Sequence, residues 1–273
     1  METSKFRFYY WVIMLHIHTI PAFVDNYFWL IQPEIQLPDV YIVDPGAAQP
    51  VFDYLQQHKL ALKGILITHH HHDHIDGAEE LQKTFNIPIY GPDSSRIPQV
   101  TQPLYEGDIL QLGTQSAKII SLPGHTLDHI AYFIEPINEP PLLFSGDTLF
   151  AVGCGRLFDG TALLLYQALQ KIATLPDDTL IYGGHEYTLA NIRFALTIEP
   201  DNKDLHARQI LETQKRDQGI ATLPTQLGKE RRTNPFLRCH LKPVRTSVER
   251  FTNTTVTTDA DVFANLRRLK DRF

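Results

Sequence analysis

Histidine and aspartate side chains are concentrated in one short segment, LITHHHHDHIDG at residues 66–77. Neutral imidazole is the most common metal ligand in proteins, and a carboxylate beside it offsets part of the charge of the ion. The preceding residues, GILIT (64–68), are typical of a buried strand. The run is internal and follows a strand, which argues against an affinity tag. The alternative to a metal site is a solvated polar loop.

The periodicity of an extended chain divides this run into two sets. Side chains at i and i+2 point the same way, so His69 and His71 can reach one ion together, while the histidines at 70 and 72 point to the other side. Where the chain turns, Asp73 and His74 can reach a second ion. The informative pattern is therefore His-x-His-x-Asp-His rather than four histidines in a row.

Three other segments place a possible metal ligand after a predicted strand. SLPGHTLDH contains His125, LLFSGDTLF contains Asp147 and LIYGGHEYT contains His185. A single histidine after a strand is usually structural, but loops at strand ends are also where functional residues concentrate. Seven His and Asp ligands fit two ions better than one, since a structural zinc takes only four.

Strands and helices alternate along the first two-thirds of the chain, and they must position these segments. Strands are predicted at 27–31, 40–43, 64–68, 87–90, 117–122, 130–134, 141–145 and 179–184. Helices are predicted at 48–58, 76–85 and 161–175, the second with Asp76 as its N-cap. From about residue 188 the chain is predicted to be mainly helical, with irregular stretches at 219–236 and 239–258. This order favours an α/β or α+β fold with two sheet layers.

Composition and charge are those of a globular protein with an uneven charge distribution. The 273 residues, 43% hydrophobic and 21% charged, suffice for one large or two ordinary domains. Residues 1–188 hold 9 Lys+Arg and 21 Asp+Glu, whereas residues 189–273 hold 16 and 10. The acidic residues 1–188 would repel nucleic acid outside a metal cleft, and the basic residues 189–273 suit an anionic ligand. Sequence drift is the alternative explanation of the charge difference.

The two cysteines and the N-terminal residues indicate in which cellular compartment the protein is expected. One cysteine pair cannot form a disulfide scaffold, so a reducing compartment, the cytoplasm, is expected, with Cys154 as a buried structural thiol. The apolar run at residues 8–15 is too short to span a bilayer, and no small-residue cleavage site follows it. Residues 1–14 are predicted to be an N-terminal extension, with translation from Met14 as an alternative.

The order and spacing of these segments resemble the metallo-β-lactamase superfamily and, within it, the glyoxalase II (hydroxyacylglutathione hydrolase) family. The resemblance covers residues 20–273 and is carried by IPAFVDNYFWLI, VDPG, ITHHHHDHIDG, SLPGHT, FSGDTLFAVGCGRLFDGT, GGHEYT, NIRFAL, TNPFLR and LRRLKDRF.

The fold implied by the resemblance is α+β. It comprises an αββα sandwich of two mixed sheets with flanking helices over residues 15–187, followed by a helical, substrate-binding domain over residues 188–273. The resemblance also implies the metal ligands. The first ion would be held by His69, His71 and His125, the second by Asp73, His74 and His185, with Asp147 bridging the two.

The resemblance further implies residues that bind the substrate. They are Arg156, Phe158, Tyr187, Arg267 and Lys270. Phe158 departs from the tyrosine of some family members, so a hydroxyl contact to the peptide would be lost. Arg267 and Lys270 are at i and i+3 and share one face of a helix. Without the resemblance, a solvated basic helix end would explain this pair.

The activity implied by the resemblance is hydrolysis of a thioester. S-D-lactoylglutathione and other S-2-hydroxyacylglutathiones would yield D-lactate, or another 2-hydroxy acid, and glutathione, as in methylglyoxal detoxification. A hydroxide shared between the two ions would attack the carbonyl, with Asp73 and Asp147 as catalytic residues. The ions are expected to be zinc, with iron or manganese as alternatives.

Other functions are compatible with parts of the pattern. A persulfide dioxygenase, a lactonase or a nuclease would share the superfamily fold, and a non-catalytic metal- or glutathione-binding protein would need fewer intact ligands. The intact helical tail argues against the dioxygenase. The expected partner is therefore a small glutathione thioester, with no nucleic acid or membrane partner, and the chain is expected to be a monomer.

Overall fold

The computed structural model describes residues 14–273, in which the strands form two six-stranded sheets. The predicted N-terminal extension, residues 1–14, lies outside the described residues except for Met14. The alternative of translation from Met14 concerns the same residues. In the first sheet the strand order is β1 (His16–Ala22), β2 (Asn26–Gln32), β3 (Asp39–Val43), β4 (Ala61–Leu66), β5 (Ile89–Pro92) and β6 (Gln102–Leu104).

The second sheet lies later in the chain, and a short hairpin is inserted in its sequence. Its strands, with the hairpin β11–β12, are β7 (Ile109–Leu112), β8 (Gln115–Ser121), β9 (Ile130–Ile134), β10 (Leu142–Gly146), β11 (Leu149–Phe150), β12 (Gly153–Cys154), β13 (Leu180–Gly183) and β14 (Thr225–Gln226). The order in the sheet is β14-β13-β10-β9-β8-β7. Both sheets are mixed, because β3 to β6 and the pair β10–β13 are parallel while the other neighbours are antiparallel.

Helices cover the outer faces of both sheets and make up most of the C-terminal part. They are α1 (Gln49–His58), α2 (His72–Ile75), α3 (Ala78–Phe85), α4 (Ala162–Ile172), α5 (Thr188–Ile198), α6 (Lys203–Asp217), α7 (Leu227–Thr233), α8 (Lys242–Thr252) and α9 (Asp259–Asp271), with a 3₁₀ turn at Pro235–Leu237. Within residues 14–273, none of these helices is long and apolar enough to cross a bilayer.

Alternation along β2 shows how the layers are built. Successive side chains of a strand point to opposite faces. Trp29 and Ile31 enter the core between the two sheets, whereas Phe28 and Leu30 enter the core beneath α1 and α3. A third apolar cluster joins the outer face of the second sheet to α4, α5, α8 and α9. The predicted αββα sandwich of mixed sheets, followed by a helical region, is therefore confirmed.

Two stretches predicted to be irregular contain helices, so that prediction was wrong. Residues 219–236 include α7 and residues 239–258 include α8. In α8 the buried face is narrow, with Val244 and Val248 one turn apart, and apart from Pro243 and the exposed Phe251 the rest of the helix is polar. In α7 the buried residues are Leu227, Gly228, Glu230 and Thr233, so a single large apolar side chain gives no periodicity that could reveal the helix.

The predicted N-cap of the helix at 76–85 was also wrong. Helix α3 begins at Ala78 with Gly77 as its N-cap, and Asp76 is the C-cap of the preceding short helix α2, which ends at Ile75. The Asp76 carboxylate instead lies 3.0 Å from Nδ1 of His72. The chain therefore turns once more before α3 than the sequence indicated, and this extra turn is where the metal-ligand motif continues.

Candidate metal centre

Loops that follow the strands bring the predicted metal ligands together. His69 and His71 lie in the segment between β4 and α2, and α2 then presents Asp73 and His74. The other ligands follow β8, β10 and β13, and they are His125, Asp147 and His185 respectively. The seven side chains converge in two groups whose ligand atoms lie within 4.8 Å of one another: His69, His71, His125 and Asp147, and Asp73, His74 and His185.

The first group uses different ring nitrogens of its three histidines. Nδ1 of His71 lies 3.1 Å from Nε2 of His69 and 3.0 Å from Nε2 of His125. Oδ2 of Asp147 lies 3.5 Å from Nε2 of His125. These four atoms surround one position on the cleft floor.

The second group surrounds a neighbouring position. Nε2 of His74 and Nε2 of His185 are 3.3 Å apart, and each lies 3.4 Å from Oδ2 of Asp73. Asp147 reaches this group too, since its Oδ1 is 3.5 Å from Nε2 of His74 and its Oδ2 is 3.4 Å from Nε2 of His185. Asp147 is therefore placed between the two groups.

These distances fit metal ions better than a hydrogen-bond network. Ligands at about 2.0–2.1 Å from a tetrahedral ion are separated by about 3.3 Å, which is the spacing found here. Among residues 14–273 no side chain or backbone group forms a hydrogen bond with the buried Oδ1 of Asp147. A buried carboxylate oxygen without a donor is costly unless a cation binds it. The two clusters are thus suited to a pair of metal ions.

Outer partners fix the orientation of the histidine rings. Metal-binding imidazoles commonly direct their second nitrogen to a carboxylate or carbonyl, which sets the tautomer. The contacts to Nδ1 are Thr68 Oγ1 to His69 (2.9 Å), Asp44 Oδ2 to His74 (3.1 Å), Arg156 O to His125 (2.8 Å) and Asp25 Oδ1 to His185 (2.9 Å). Each of these rings therefore presents Nε2 to its cluster.

Sequence reasoning missed these outer partners. Asp25 belongs to the segment IPAFVDNYFWLI and Asp44 to VDPG, both of which carry the family resemblance, yet neither spacing shows which histidine each contacts. Asn26 was missed for the same reason, and its amide donates to Oδ2 of Asp73 at 3.0 Å. His129 is fully buried, and its Nε2 accepts a hydrogen bond from the backbone N–H of Asp147 at 3.1 Å.

Burial and mutual proximity keep most of the first cluster neutral. Burial, followed by the neighbouring histidines, holds the pKa of His69 well below its usual range and lowers the pKa of His71 to about 4. In the second cluster burial works against protonation of His74, but the carboxylates of Asp147, Asp44 and Asp73 together outweigh it, and the pKa of His74 is raised. Burial likewise opposes ionisation of Asp147, yet His185 and His74 keep its pKa below the ordinary value. The second cluster therefore attracts a cation strongly.

The other two histidines of the run lie outside both clusters. Nδ1 of His70 contacts the Asp128 carboxylate at 2.9 Å, and its Nε2 is 3.1 Å from the guanidinium of Arg96. The His72 side chain is 90% exposed and contacts Asp76. The alternation predicted from the sequence therefore matches the direction of each ring.

A cavity of about 460 Å³ opens over the clusters and extends toward the end of α9. All five predicted substrate-binding residues line it, and they are Arg156, Phe158, Tyr187, Arg267 and Lys270. The cavity thus joins a cationic wall to the metal-binding floor.

Aromatic rings of the cavity pack directly on predicted metal ligands. Tyr187 stacks on His185 with 4.7 Å between ring centroids and an interplanar angle of 1°. Phe158, 65% exposed, meets the ring of His71 edge-on at 4.5 Å. Phe158 therefore packs on a predicted metal ligand and has no phenol hydroxyl to offer the peptide.

Arg267 and Lys270 differ in exposure although they share a helix face. Arg267 is only 3% exposed and donates to the backbone oxygen of Cys154 at 2.9 Å and to Asp271 at 3.0 Å. It therefore holds the loop beside the cleft, which excludes a solvated helix end for this residue. Nζ of Lys270 lies 5.3 Å from the ring centroid of Phe273 and borders the open cavity.

Burial raises the pKa of the Cys154 thiol to about 11, as suits a structural cysteine.

Comparisons with known proteins agree with this geometry. Residues 39–185 match the sequence profile of the metallo-beta-lactamase superfamily, and residues 186–273 match that of the hydroxyacylglutathione hydrolase C-terminus. The hydroxyacylglutathione hydrolase of Hahella chejuensis is 46% identical over 260 residues, which cover 95% of this chain and all of that protein. The chain belongs to the hydroxyacylglutathione hydrolase family.

Further relatives agree with this family membership. The hydroxyacylglutathione hydrolase of Alkalilimnicola ehrlichii is 47% identical over 262 residues, 95% of this chain and 100% of its own length. Among solved structures, ETHE1 from Myxococcus xanthus has a TM-score of 0.65 with 22% identity, covering 93% of this chain and 91% of its own. That similarity shows the shared metallo-β-lactamase fold and nothing finer.

Proposed function

We propose that this protein hydrolyses S-D-lactoylglutathione and other S-2-hydroxyacylglutathiones to the free 2-hydroxy acid and glutathione. The observation that carries the proposal is one continuous cavity whose floor is the two ligand clusters, with five of the seven ligands lining it, and whose cationic wall includes Lys270. A thioester carbonyl needs an electrophilic environment at its oxygen, and the anionic glutathione peptide needs cations at a distance from it. Family membership over nearly the whole chain supports the same substrate.

The reaction centre would combine bound metal ions with the protein side chains that hold them. Bound metal ions would supply an activated water and stabilise negative charge on the thioester oxygen. His69, His71, His125, Asp73, His74, Asp147 and His185 would hold them. We propose zinc, with iron or manganese as alternatives, because histidine and carboxylate suit all three.

Two aspartates have catalytic roles in this proposal. Asp147 would keep the ions at a fixed separation, since its carboxylate faces both clusters. Asp73 has a side chain that is 42% exposed to the cleft, and the Asn26 amide holds one of its oxygens. It would bind one ion and orient the attacking water. The thiolate of glutathione is a stable leaving group, so no general acid is required.

The helical segment 188–273 would act as the substrate-binding part. Lys270 and Arg156 face the cavity and would bind carboxylates of the peptide, while Arg267, buried, would keep the loop beside them in place. Tyr187 and Phe158 would pack on the peptide. We propose that the protein acts as a monomer in the cytoplasm, consistent with two buried thiols that suit a reducing compartment.

The direct test is hydrolysis of S-D-lactoylglutathione by purified protein of measured metal content. Loss of the ultraviolet absorbance of the thioester, with release of a free thiol, is the expected result. Protein that contains about two ions per chain and leaves the thioester intact would overturn the proposal. Parallel assays with a lactone, a persulfide and single-stranded DNA would reveal an alternative activity of the superfamily.

Lys270 is expected to give substrate binding a characteristic pH dependence. Burial, followed by the charges of Arg267, Arg193 and Arg156, lowers the pKa of Lys270 to about 8. Below that pH the ammonium is present and binds a carboxylate; above it the charge is lost. KM is therefore expected to rise as pH increases through about 8, and Lys270→Arg should remove this rise because guanidinium stays charged.

Replacing Lys270 with alanine measures how much its charge contributes to substrate binding. A hydrogen bond to a charged group contributes about 1.5–3 kcal/mol, so Lys270→Ala should raise KM about tenfold or more while kcat changes less. Lys203→Ala, at an exposed lysine of α6, is the matched control. A KM of Lys270→Ala equal to that of the control would remove Lys270 from the binding site.

A further inference from the structure

A second cavity, of about 410 Å³, lies beside the metal clusters under the turn between β1 and β2. Its walls combine the apolar Phe23 and Val24 with the polar Asp25, Asn26, His72 and Asp76, and it meets the larger cavity at Asp73, which lines both. The residues predicted to bind glutathione all line the larger cavity. The second cavity is therefore a separate space that borders the metal clusters at Asp73.

The turn presents apolar side chains to this space. Val24 is 98% exposed and Phe23 is 60% exposed, although both are apolar. The backbone of Phe23 has φ of 51°, in the left-handed region that non-glycine residues seldom adopt. Such conformations persist where the surroundings hold them, and they are frequent at functional sites.

Contacts to predicted metal ligands hold the turn in place. Asp25 contacts Nδ1 of His185 at 2.9 Å and its backbone oxygen accepts from the N–H of Glu186 at 2.8 Å. Asn26 donates to Asp73. The two apolar side chains are thus held at a fixed distance from the cleft floor, as a specificity pocket requires.

We propose that Phe23 and Val24 form the subsite for the acyl group of the thioester and favour apolar acyl groups. The proposal rests on the hydrolase function proposed above. A substrate whose carbonyl lies over the clusters and whose peptide fills the larger cavity can extend its acyl group across Asp73 into the second cavity. There the acyl carbons would cover Phe23 and Val24 and remove apolar surface from water.

Binding of thioethers tests this subsite without turnover. S-hexylglutathione and S-methylglutathione carry the same peptide, and each methylene that is buried should strengthen binding by roughly fourfold at most. Calorimetry on the metal-loaded protein should show tighter binding of the hexyl compound. In the double variant Phe23→Asn, Val24→Ser this preference should fall about tenfold, while the Kd of S-methylglutathione stays within about twofold. Asparagine tolerates the left-handed backbone at position 23.

A matched control and a kinetic comparison complete the experiment. Ile137→Ser removes an equally exposed apolar side chain, 87% exposed, from the turn between β9 and β10 and should leave the preference unchanged. The ratio of kcat/KM for S-hexanoylglutathione over S-D-lactoylglutathione should also fall about tenfold in the double variant. Should the double variant fail to fold, Val24→Ser alone carries the test, with an expected fall of about threefold.

The outcomes separate this proposal from the proposed function. An unchanged hexyl-to-methyl preference in the variants would overturn the acyl subsite even if the protein is an active thioesterase. Wild-type protein that hydrolyses no acylglutathione would overturn the hydrolase, whereas the thioether measurements, which need no turnover, would still decide whether the turn contacts the S-substituent. A loss of S-methylglutathione binding equal to the loss of hexyl binding would also overturn the subsite, because it would place the turn beside the peptide.

Discussion

Asp147→Asn is expected to lower kcat/KM by much more than about 100-fold and to reduce the metal content well below two ions per chain. Removing an outer partner of a metal ligand typically costs about 10–100-fold, and loss of a shared ligand should exceed this. Asp147 is the side chain whose carboxylate faces both clusters, and one of its oxygens has no other partner within residues 14–273. Asparagine offers one neutral oxygen in place of two charged ones.

Asp128→Asn is the matched control for this substitution. Asp128 is also a mostly buried carboxylate beside the run of histidines, but it contacts His70 and Thr126 rather than either cluster. The control should keep both ions and most of the activity. If Asp147→Asn binds both ions as tightly as the control does, Asp147 does not bridge them and the ligand assignment must change.

All eight predicted strands are present, because strand ends and ligands are local features, but β1, β6, β7 and the two-residue strands β11, β12 and β14 were not predicted. Alternation separated His69 and His71 from their neighbours, and the structure turns the side chains as expected. Alternation does not specify the nitrogen, however. His71 uses Nδ1 where His69 uses Nε2, because Thr68 occupies the other nitrogen of His69. The Thr68 hydroxyl is in turn held by a hydrogen bond that it donates to Asp44, which follows the neighbouring strand β3, so the choice of nitrogen depends on a contact across the sheet.

Residues that act through long-range contacts were beyond sequence reasoning. Asp25 meets His185 although 160 positions separate them, and no local pattern joins these positions. Helix α7 was missed because its buried Glu230 is matched by Arg208, at 2.7 Å, from another helix. A single sequence favours exposure for both charges, whereas the pair is buried only when α6 and α7 are packed together.

The basic residues at the end of α9 illustrate how exposure changes an interpretation. Arg267 and Lys270 share a helix face, and no sequence pattern separates their roles. Because Arg267 is buried and donates to backbone oxygens, its replacement by alanine would leave those acceptors without a donor and destabilise the cleft wall. Lys270, which borders the open cavity, is therefore the better probe of substrate binding.

His71→Asn should lower kcat/KM by more than about 100-fold, whereas His72→Asn should leave it within about twofold. The two residues are neighbours of the same type, so the substitution changes composition and charge equally. His71 supplies Nδ1 to the first cluster at 3.0–3.1 Å from two other ligand nitrogens. His72 lies at the start of α2 with its ring in solvent and contacts only the exposed Asp76 carboxylate among the described side chains.

Metal analysis of the same two proteins distinguishes a lost ligand from a damaged loop. His71→Asn should retain the second ion, because Asp73, His74 and His185 are untouched, and therefore bind about one ion per chain. A variant that loses both ions would indicate that the loop itself has rearranged. Equal activity of the two variants would contradict the every-other pattern, because that pattern makes position 71, and not position 72, a ligand.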